Sequence, residues 1–106
     1  MPTNNRFDLT GRTVIVTGGG KGIGKVYAQE FARAGANVVA ADIDEAAAKA
    51  VADALAAEGH AALGLGVDIA SEERTAAMAQ AALDRFGAID VLINNASLMR
   101  DRKSVV

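Results

Sequence analysis

The stretch that decides the fold is residues 13–24, TVIVTGGGKGIG, where a short apolar run leads directly into a cluster of glycines. The run Thr13–Val16 is β-branched throughout and does not alternate with polar residues, which predicts a strand buried on both faces. Glycines let the backbone turn sharply and approach an anion, and the first turn of a following helix offers free N–H groups. We therefore predict a strand, a phosphate-binding loop and the start of a helix, with a ligand-free glycine turn as the alternative.

Outward from this stretch, apolar residues and helical segments alternate. In the helix after the loop, apolar residues recur at steps of three and four, which predicts one apolar stripe facing the core. The residues of this stripe are Ile23, Val26, Tyr27 and Phe31. Three further apolar runs, 37–41, 61–67 and 89–93, predict strands, with Ala-rich helices between them. The order β-α-β-α-β-α-β predicts an α/β fold whose parallel sheet is covered by helices on both faces.

Composition excludes several classes of protein. The 106 residues carry a formal charge of −2 and no cysteine, so there is no basic footprint for nucleic acid or an anionic membrane, and no thiolate site. One histidine cannot build a histidine-rich metal site, and no metal ligands are predicted. No apolar run approaches the ~20 residues of a membrane helix, and the polar start, MPTNNRFD, is unlike a signal peptide. We expect a soluble, cytoplasmic protein with a flexible arm at residues 1–8, forming one domain over 1–106.

Two phosphate-binding motifs compete in the loop. Residues 19–25 fit G-x-x-x-x-G-K, the beginning of a P-loop, but the next position holds Val26 where a Mg²⁺-binding Ser or Thr is required. Asp68, after an apolar run, could imitate a second magnesium carboxylate, so a P-loop nucleotide hydrolase stays an alternative. The spacing Thr17-Gly18, Gly22, Gly24 instead resembles the TGxxxGxG fingerprint of the short-chain dehydrogenase/reductase family.

Later positions extend this resemblance over roughly residues 9–97. Asp42 lies 18 residues after Gly24, where a carboxylate accepts hydrogen bonds from an adenosine ribose and repels the 2′-phosphate of NADP. In the family, Asp68 and the residue after it face the adenine. Asn94-Asn95-Ala96 resembles the family's NNAG motif, which braces the central strands beside the cofactor, although Ser97 stands in place of the final glycine.

The resemblance implies a Rossmann-type, doubly wound parallel sheet, incomplete at about four strands, in the order 3-2-1-4. It also implies an oxidoreductase that transfers hydride between nicotinamide and a small alcohol or carbonyl substrate, with NAD as cofactor. NADP is the second candidate, because a basic residue at Lys21 often accompanies NADP in the family. The cofactor-binding residues that it implies are Thr17, Gly18, Gly20, Lys21, Gly22, Ile23, Gly24, Asp42, Ile43, Asp68, Ile69, Asn94, Asn95 and Ala96.

Catalytic residues are not found in the sequence. The family uses a Tyr-x-x-x-Lys pair, whereas the one tyrosine here, Tyr27, is followed four residues later by Phe31 and is expected to be a packing residue of the first helix. We therefore expect that the chain is part of a longer polypeptide, or that the open edge of its fourth strand pairs with another copy in a homo-oligomer. A dinucleotide-binding module without catalysis is the alternative function.

Overall fold

The computed structural model describes residues 8–95, so residues 1–7 of the predicted arm and Ala96 of the predicted site lie outside the described residues. Seven elements alternate as the sequence predicts. They are β1 (Thr13–Thr17), α1 (Gly22–Arg33), β2 (Asn37–Asp42), α2 (Glu45–Ala57), β3 (Ala62–Gly66), α3 (Glu72–Phe86) and β4 (Val91–Asn94).

The four strands form one parallel sheet in the order β3-β2-β1-β4, which confirms the predicted topology. The central strand β1 pairs with β2 on one side and with β4 on the other, and its last residue, Thr17, lies opposite both Ala41 and Asn94. The chain thus winds outward from β1 in two directions. Open α/β sheets bind ligands at such a switch point, beyond the carboxyl ends of the strands.

Two apolar clusters lie on opposite faces of the sheet. On one face, Val14 and Val38 pack with α1 and α2, whose buried residues there are Ala28, Ala32, Val51 and Leu55. On the other face, Ile15 and Val39 pack with Met78 and Ala82 of α3. The β-branched strands are therefore buried on both sides, and the α/β/α layering is confirmed.

The prediction for the core face of α1 is wrong in part. The residues buried in that helix are the small ones, Gly24, Ala28 and Ala32, because they let the helix approach the sheet closely. Of the predicted core stripe, Ile23, Val26 and Tyr27 are 58%, 49% and 38% exposed, and Phe31 alone packs against the core cluster. Tyr27 is therefore a surface residue, with its ring 6.4 Å from that of Phe31.

Within residues 8–95, no helix combines the length and the apolar character that crossing a membrane requires.

Candidate functional site

The predicted loop joins β1 to α1 and is fastened to β4 by Thr17. This threonine is 3% exposed, and its hydroxyl donates to the Ile93 carbonyl oxygen at 3.1 Å. The hydroxyl oxygen of Thr17 in turn accepts the N–H of Asn95 at 3.0 Å. One buried hydroxyl therefore holds the two sides of the switch point together, and it brings the Asn94-Asn95 segment beside the glycine loop.

Two glycines of the loop are required for different reasons. Gly22 has φ +56°, in the left-handed region, and a Cβ there would meet nothing within 4 Å, so the surface above it is open. Gly24 is buried, and a Cβ there would overlap the Gly18 carbonyl oxygen and lie 2.9 Å from Asn95 Nδ2. The loop is thus closed on its inner side and open on its outer side, at the start of α1.

The N-terminus of α1 differs from those of the other two helices. Asp44 caps α2 by accepting the Ala47 N–H at 3.1 Å, and Ser71 caps α3 by accepting the Arg74 N–H at 3.1 Å. At α1 the N-cap position is Lys21, whose side chain makes no capping hydrogen bond. The first N–H groups of this helix are left for other acceptors, and with the helix dipole they suit an anion.

Asp42 ends β2, and its carboxylate is held by backbone from two directions. Oδ2 accepts the Gly20 N–H and Oδ1 accepts the Asp44 N–H, each at 3.0 Å. An ionised carboxylate has about four acceptor positions, so each oxygen keeps one position for a further donor. Asp42 is half-buried, and the following Ile43 is 67% exposed. The carboxylate is therefore fixed in place, beside the loop, and can still accept hydrogen bonds from hydroxyl groups.

An ion pair lies beside this carboxylate. Lys21 Nζ is 2.9 Å from Asp44 Oδ2, so the pair joins the glycine loop to the start of α2. The hydrogen bond and charge of Asp44 raise the pKa of Lys21, and the negative charge of Asp42 acts in the same direction. The hydrogen bonds from Lys21 and from the Ala47 N–H lower the pKa of Asp44. Both groups are therefore charged at neutral pH.

The remaining predicted residues lie at the ends of β3 and β4. Asp68 follows β3 and accepts the Ala70 N–H at 3.0 Å, and the half-buried Ile69 packs against the core on the α3 face. Asn94 ends β4 and is exposed, whereas Asn95 is half-buried. The structure thus brings the predicted residues of positions 17–24, 42–43, 68–69 and 94–95 to the carboxyl ends of four parallel strands.

Sequence reasoning missed Asp44 as a member of this site. Besides capping α2, it contacts Lys21 and donates its N–H to Asp42. Its position two residues after a strand-end carboxylate is a weak signal, because Asx residues are common at helix starts for capping alone.

Comparison with known proteins identifies the family. The family model described as short chain dehydrogenase matches residues 12–105. The chain belongs to the short-chain dehydrogenase family. The 7alpha-hydroxysteroid dehydrogenase of Escherichia coli (strain K12) is 42% identical over 96 residues, which cover 91% of this chain and 38% of that protein. The 2,5-dichloro-2,5-cyclohexadiene-1,4-diol dehydrogenase of Sphingobium indicum is 44% identical over 91 residues, 86% of this chain and 35% of that protein.

Solved structures of this family share the fold. A hydroxysteroid dehydrogenase from Escherichia coli aligns with a TM-score of 0.84 at 42% identity, over 91% of this chain and 40% of that one. A 7 alpha-hydroxysteroid dehydrogenase complexed with NADH and 7-oxo glycochenodeoxycholic acid aligns with a TM-score of 0.84 at 41% identity, over 90% of this chain and 37% of that one. The chain thus spans well under half the length of these relatives. Family membership also decides between the two phosphate motifs, in favour of the dehydrogenase fingerprint over the P-loop.

Proposed function

We propose that this chain supplies the cofactor-binding part of an NAD(P)-dependent oxidoreductase, which transfers hydride between nicotinamide and an alcohol or carbonyl substrate. The observation that carries the proposal is the start of α1, where the glycine loop is open above Gly22 and no side chain caps the helix at Lys21. A pyrophosphate bound there would accept the first N–H groups of the helix and gain from its dipole. The names of the relatives, several of them alcohol or hydroxysteroid dehydrogenases, support the same reaction class.

Each part of the site has a role in this proposal. Positions 17, 18, 20 and 22–24 form the pyrophosphate loop, Asp42 accepts the hydroxyl groups of the adenosine ribose, and Ile43 lies beside that ribose. Asp68 and Ile69 border the adenine, and Asn94-Asn95-Ala96 supports the nicotinamide side. The bound nicotinamide supplies the hydride acceptor or donor, and the protein fixes its orientation.

NAD is the cofactor we propose. The Asp42 carboxylate is held toward the loop by two backbone N–H groups, and a fixed negative charge there favours ribose hydroxyls over a 2′-phosphate. Lys21 argues in the opposite direction, although its ammonium is paired with Asp44.

Direct titration tests the proposal with a matched pair of variants. Gly22→Ala and Gly59→Ala both place a Cβ at positive φ, +56° and +94°, with nothing within 4 Å, so both impose backbone strain without a clash. Gly22 alone lies in the loop, so we expect Gly22→Ala to weaken NAD binding roughly tenfold or more, since its Cβ enters the space where phosphate must approach. Gly59→Ala keeps the parent affinity. If the parent binds neither NAD nor NADP in calorimetry, the proposed function is wrong.

A dinucleotide-binding module without catalysis is the second candidate, because the sequence lacks the family's Tyr-x-x-x-Lys pair and we name no catalytic residue among its 106 residues. An assay of the purified chain with NAD and a panel of secondary alcohols separates the two. Turnover supports the enzyme and shows that a proton-transfer group is present. Tight NAD binding without turnover supports the module.

We also infer that the outer edge of β4 is covered in the functional protein, either by a further segment of a longer polypeptide or, as we propose, by a second copy of the chain. Within residues 8–95, β4 pairs with β1 alone, and Leu92 on this strand is 55% exposed. An open apolar strand edge is prone to association. We also propose a cytoplasmic location, as the sequence predicts.

A further inference from the structure

Asp44 places a second negative charge beside the carboxylate that is proposed to bind the ribose. Its own N–H donates to Asp42 Oδ1 at 3.0 Å, and its Oδ2 lies 2.9 Å from Lys21 Nζ. The end of β2 therefore carries two carboxylates and one ammonium within one short network. A ligand that binds at Asp42 therefore experiences the electrostatic field of all three charges.

The sum of these charges matters for one feature of the cofactor. NAD presents neutral hydroxyl groups at the adenosine ribose, whereas NADP presents a phosphate with close to two negative charges. With all three groups ionised, the network carries a net charge of about −1, by adding two carboxylates and one ammonium. If Asp44 were neutral, the charges of Asp42 and Lys21 would sum to zero. The Lys21 ammonium would also lose its ion-pair partner.

We propose that Asp44 is a specificity-determining residue, which disfavours NADP by binding the Lys21 ammonium and withholding it from the 2′-phosphate. The inference rests on the proposed function and deepens it. Without Asp44, a lysine at this position would attract the phosphate. With Asp44, the same lysine is held against the start of α2, and the local charge stays negative.

The structural roles of Asp44 at the start of α2 make only small use of its charge, including its favourable interaction with the helix dipole. Its capping of α2 needs only a side-chain oxygen for the Ala47 N–H, and asparagine caps helices as well as aspartate does. The ion pair itself is open to solvent, with side chains 66% and 39% exposed, and such pairs contribute little to the free energy of unfolding. A solvent-exposed pair can still change the local potential that a charged ligand meets.

The raised pKa of Lys21 and the lowered pKa of Asp44 agree with this geometry, because each group is held in its charged form by the other. Both groups are therefore charged throughout the neutral pH range in which the cofactor would bind.

The test is Asp44→Asn, which removes the charge and keeps the cap. We expect its affinity for NADP to rise about three- to tenfold relative to its affinity for NAD, because one unit charge near a solvent-exposed site has an effect of this size. The gain shrinks at high ionic strength. Calorimetric titration of the full-length protein with each cofactor, at low and high salt, measures both quantities.

Asp53→Asn is the control. It lies on α2, is exposed, and changes the net charge by the same amount without contacting the network at Asp42. If the effect depends on the position of the charge beside Asp42, the NADP affinity of Asp53→Asn stays at the parent value. An equal rise in both variants would overturn the inference, because it would reflect overall charge alone.

Lys21→Gln tests whether Asp44 acts through the lysine. In that background, Asp44→Asn has no ammonium to release, so its gain in NADP affinity is smaller than in the parent. A gain of the same size in both backgrounds overturns the proposal and leaves Asp44 as a plain repulsive charge. A parent that binds NAD, with no change in its NAD/NADP ratio in Asp44→Asn, refutes the specificity role alone. A folded parent that binds neither cofactor refutes the proposed function as well.

Discussion

Thr17 is a single residue on which the geometry of the whole loop depends. It ends β1, and its hydroxyl both donates to Ile93 and accepts from Asn95, across the switch point. Because the hydroxyl is buried, removing it would leave the Ile93 carbonyl and the Asn95 N–H without this partner. A valine of nearly the same shape would fill the space and satisfy none of them.

We expect Thr17→Val to lower the free energy of unfolding by about 1–3 kcal/mol, the cost of leaving a buried polar group unsatisfied. Thr17→Ser retains the hydroxyl and costs less, so it is the control. Urea denaturation measures both. Equal stability of Thr17→Val and the parent would contradict the role of this residue as the link between β1 and β4.

Asp42→Ala is expected to reduce the preference for NAD over NADP, because it removes the negative charge that the 2′-phosphate would meet. Asp68→Asn is the comparison, since the adenine is common to both cofactors and this change should lower the two affinities together. The ratio of dissociation constants is the measured quantity. An unchanged ratio in Asp42→Ala would exclude Asp42 as the ribose ligand.

At the scale of elements, sequence patterns predicted the order and type of all seven, because each strand is a short β-branched or apolar run and each helix a longer segment between turns. They failed at the face of α1. Periodicity locates the large apolar residues, but it gives no account of how near the sheet the helix lies. Gly24, Ala28 and Ala32 permit a close approach, so the small residues are buried and Ile23 and Val26 are exposed.

Ala28→Leu tests this correction. Ala28 is 0% exposed and packs in the cluster with Val16 and Val38, so a larger side chain there should destabilise the protein by about 1–3 kcal/mol or more through overpacking. Val26→Leu, on the exposed side of the same helix, should change stability by less than about 0.5 kcal/mol. Thermal or urea unfolding compares them. The reverse ranking would restore the face predicted from periodicity.

For the candidate site, the sequence predicts which residues take part but not the contacts between them. The spacing of its glycines and strand-end residues is a property of the sequence, so positions such as Gly22 and Asp42 could be named in advance. The hydrogen bonds of Asp42 to Gly20 and Asp44, and the pairing of Asp44 with Lys21, depend on how the loop folds back over β2. No spacing rule encodes that contact.

At the scale of the whole molecule, the two edge strands of the sheet, β3 and β4, differ in what covers them. β3 packs closely against α2, whereas β4 carries the exposed Leu92 on the α3 side of the sheet, in register with Ile15. If a second copy covers this edge, a charge at Leu92 should interfere with association.

Leu92→Lys is therefore expected to shift the chain toward monomer in analytical ultracentrifugation, because a lysine on an edge strand opposes pairing with another strand. Ala54→Lys, at an exposed position of α2, adds the same charge elsewhere and should leave association unchanged. A parent that sediments as a stable monomer at all concentrations would contradict the proposed oligomer.

The link from Thr17 to Asn95 also has a consequence for the order of folding during synthesis. It joins residues 78 positions apart, and β1 meets β4 only after β2 and β3 have been made. A nascent chain on the ribosome can assemble the β1-β2-β3 half early, through contacts that are closer in sequence. The edge of the sheet that we propose to bind the cofactor is completed last, so we expect a chain stalled before residue 91 to have folded the β1-β2-β3 half and to bind no dinucleotide.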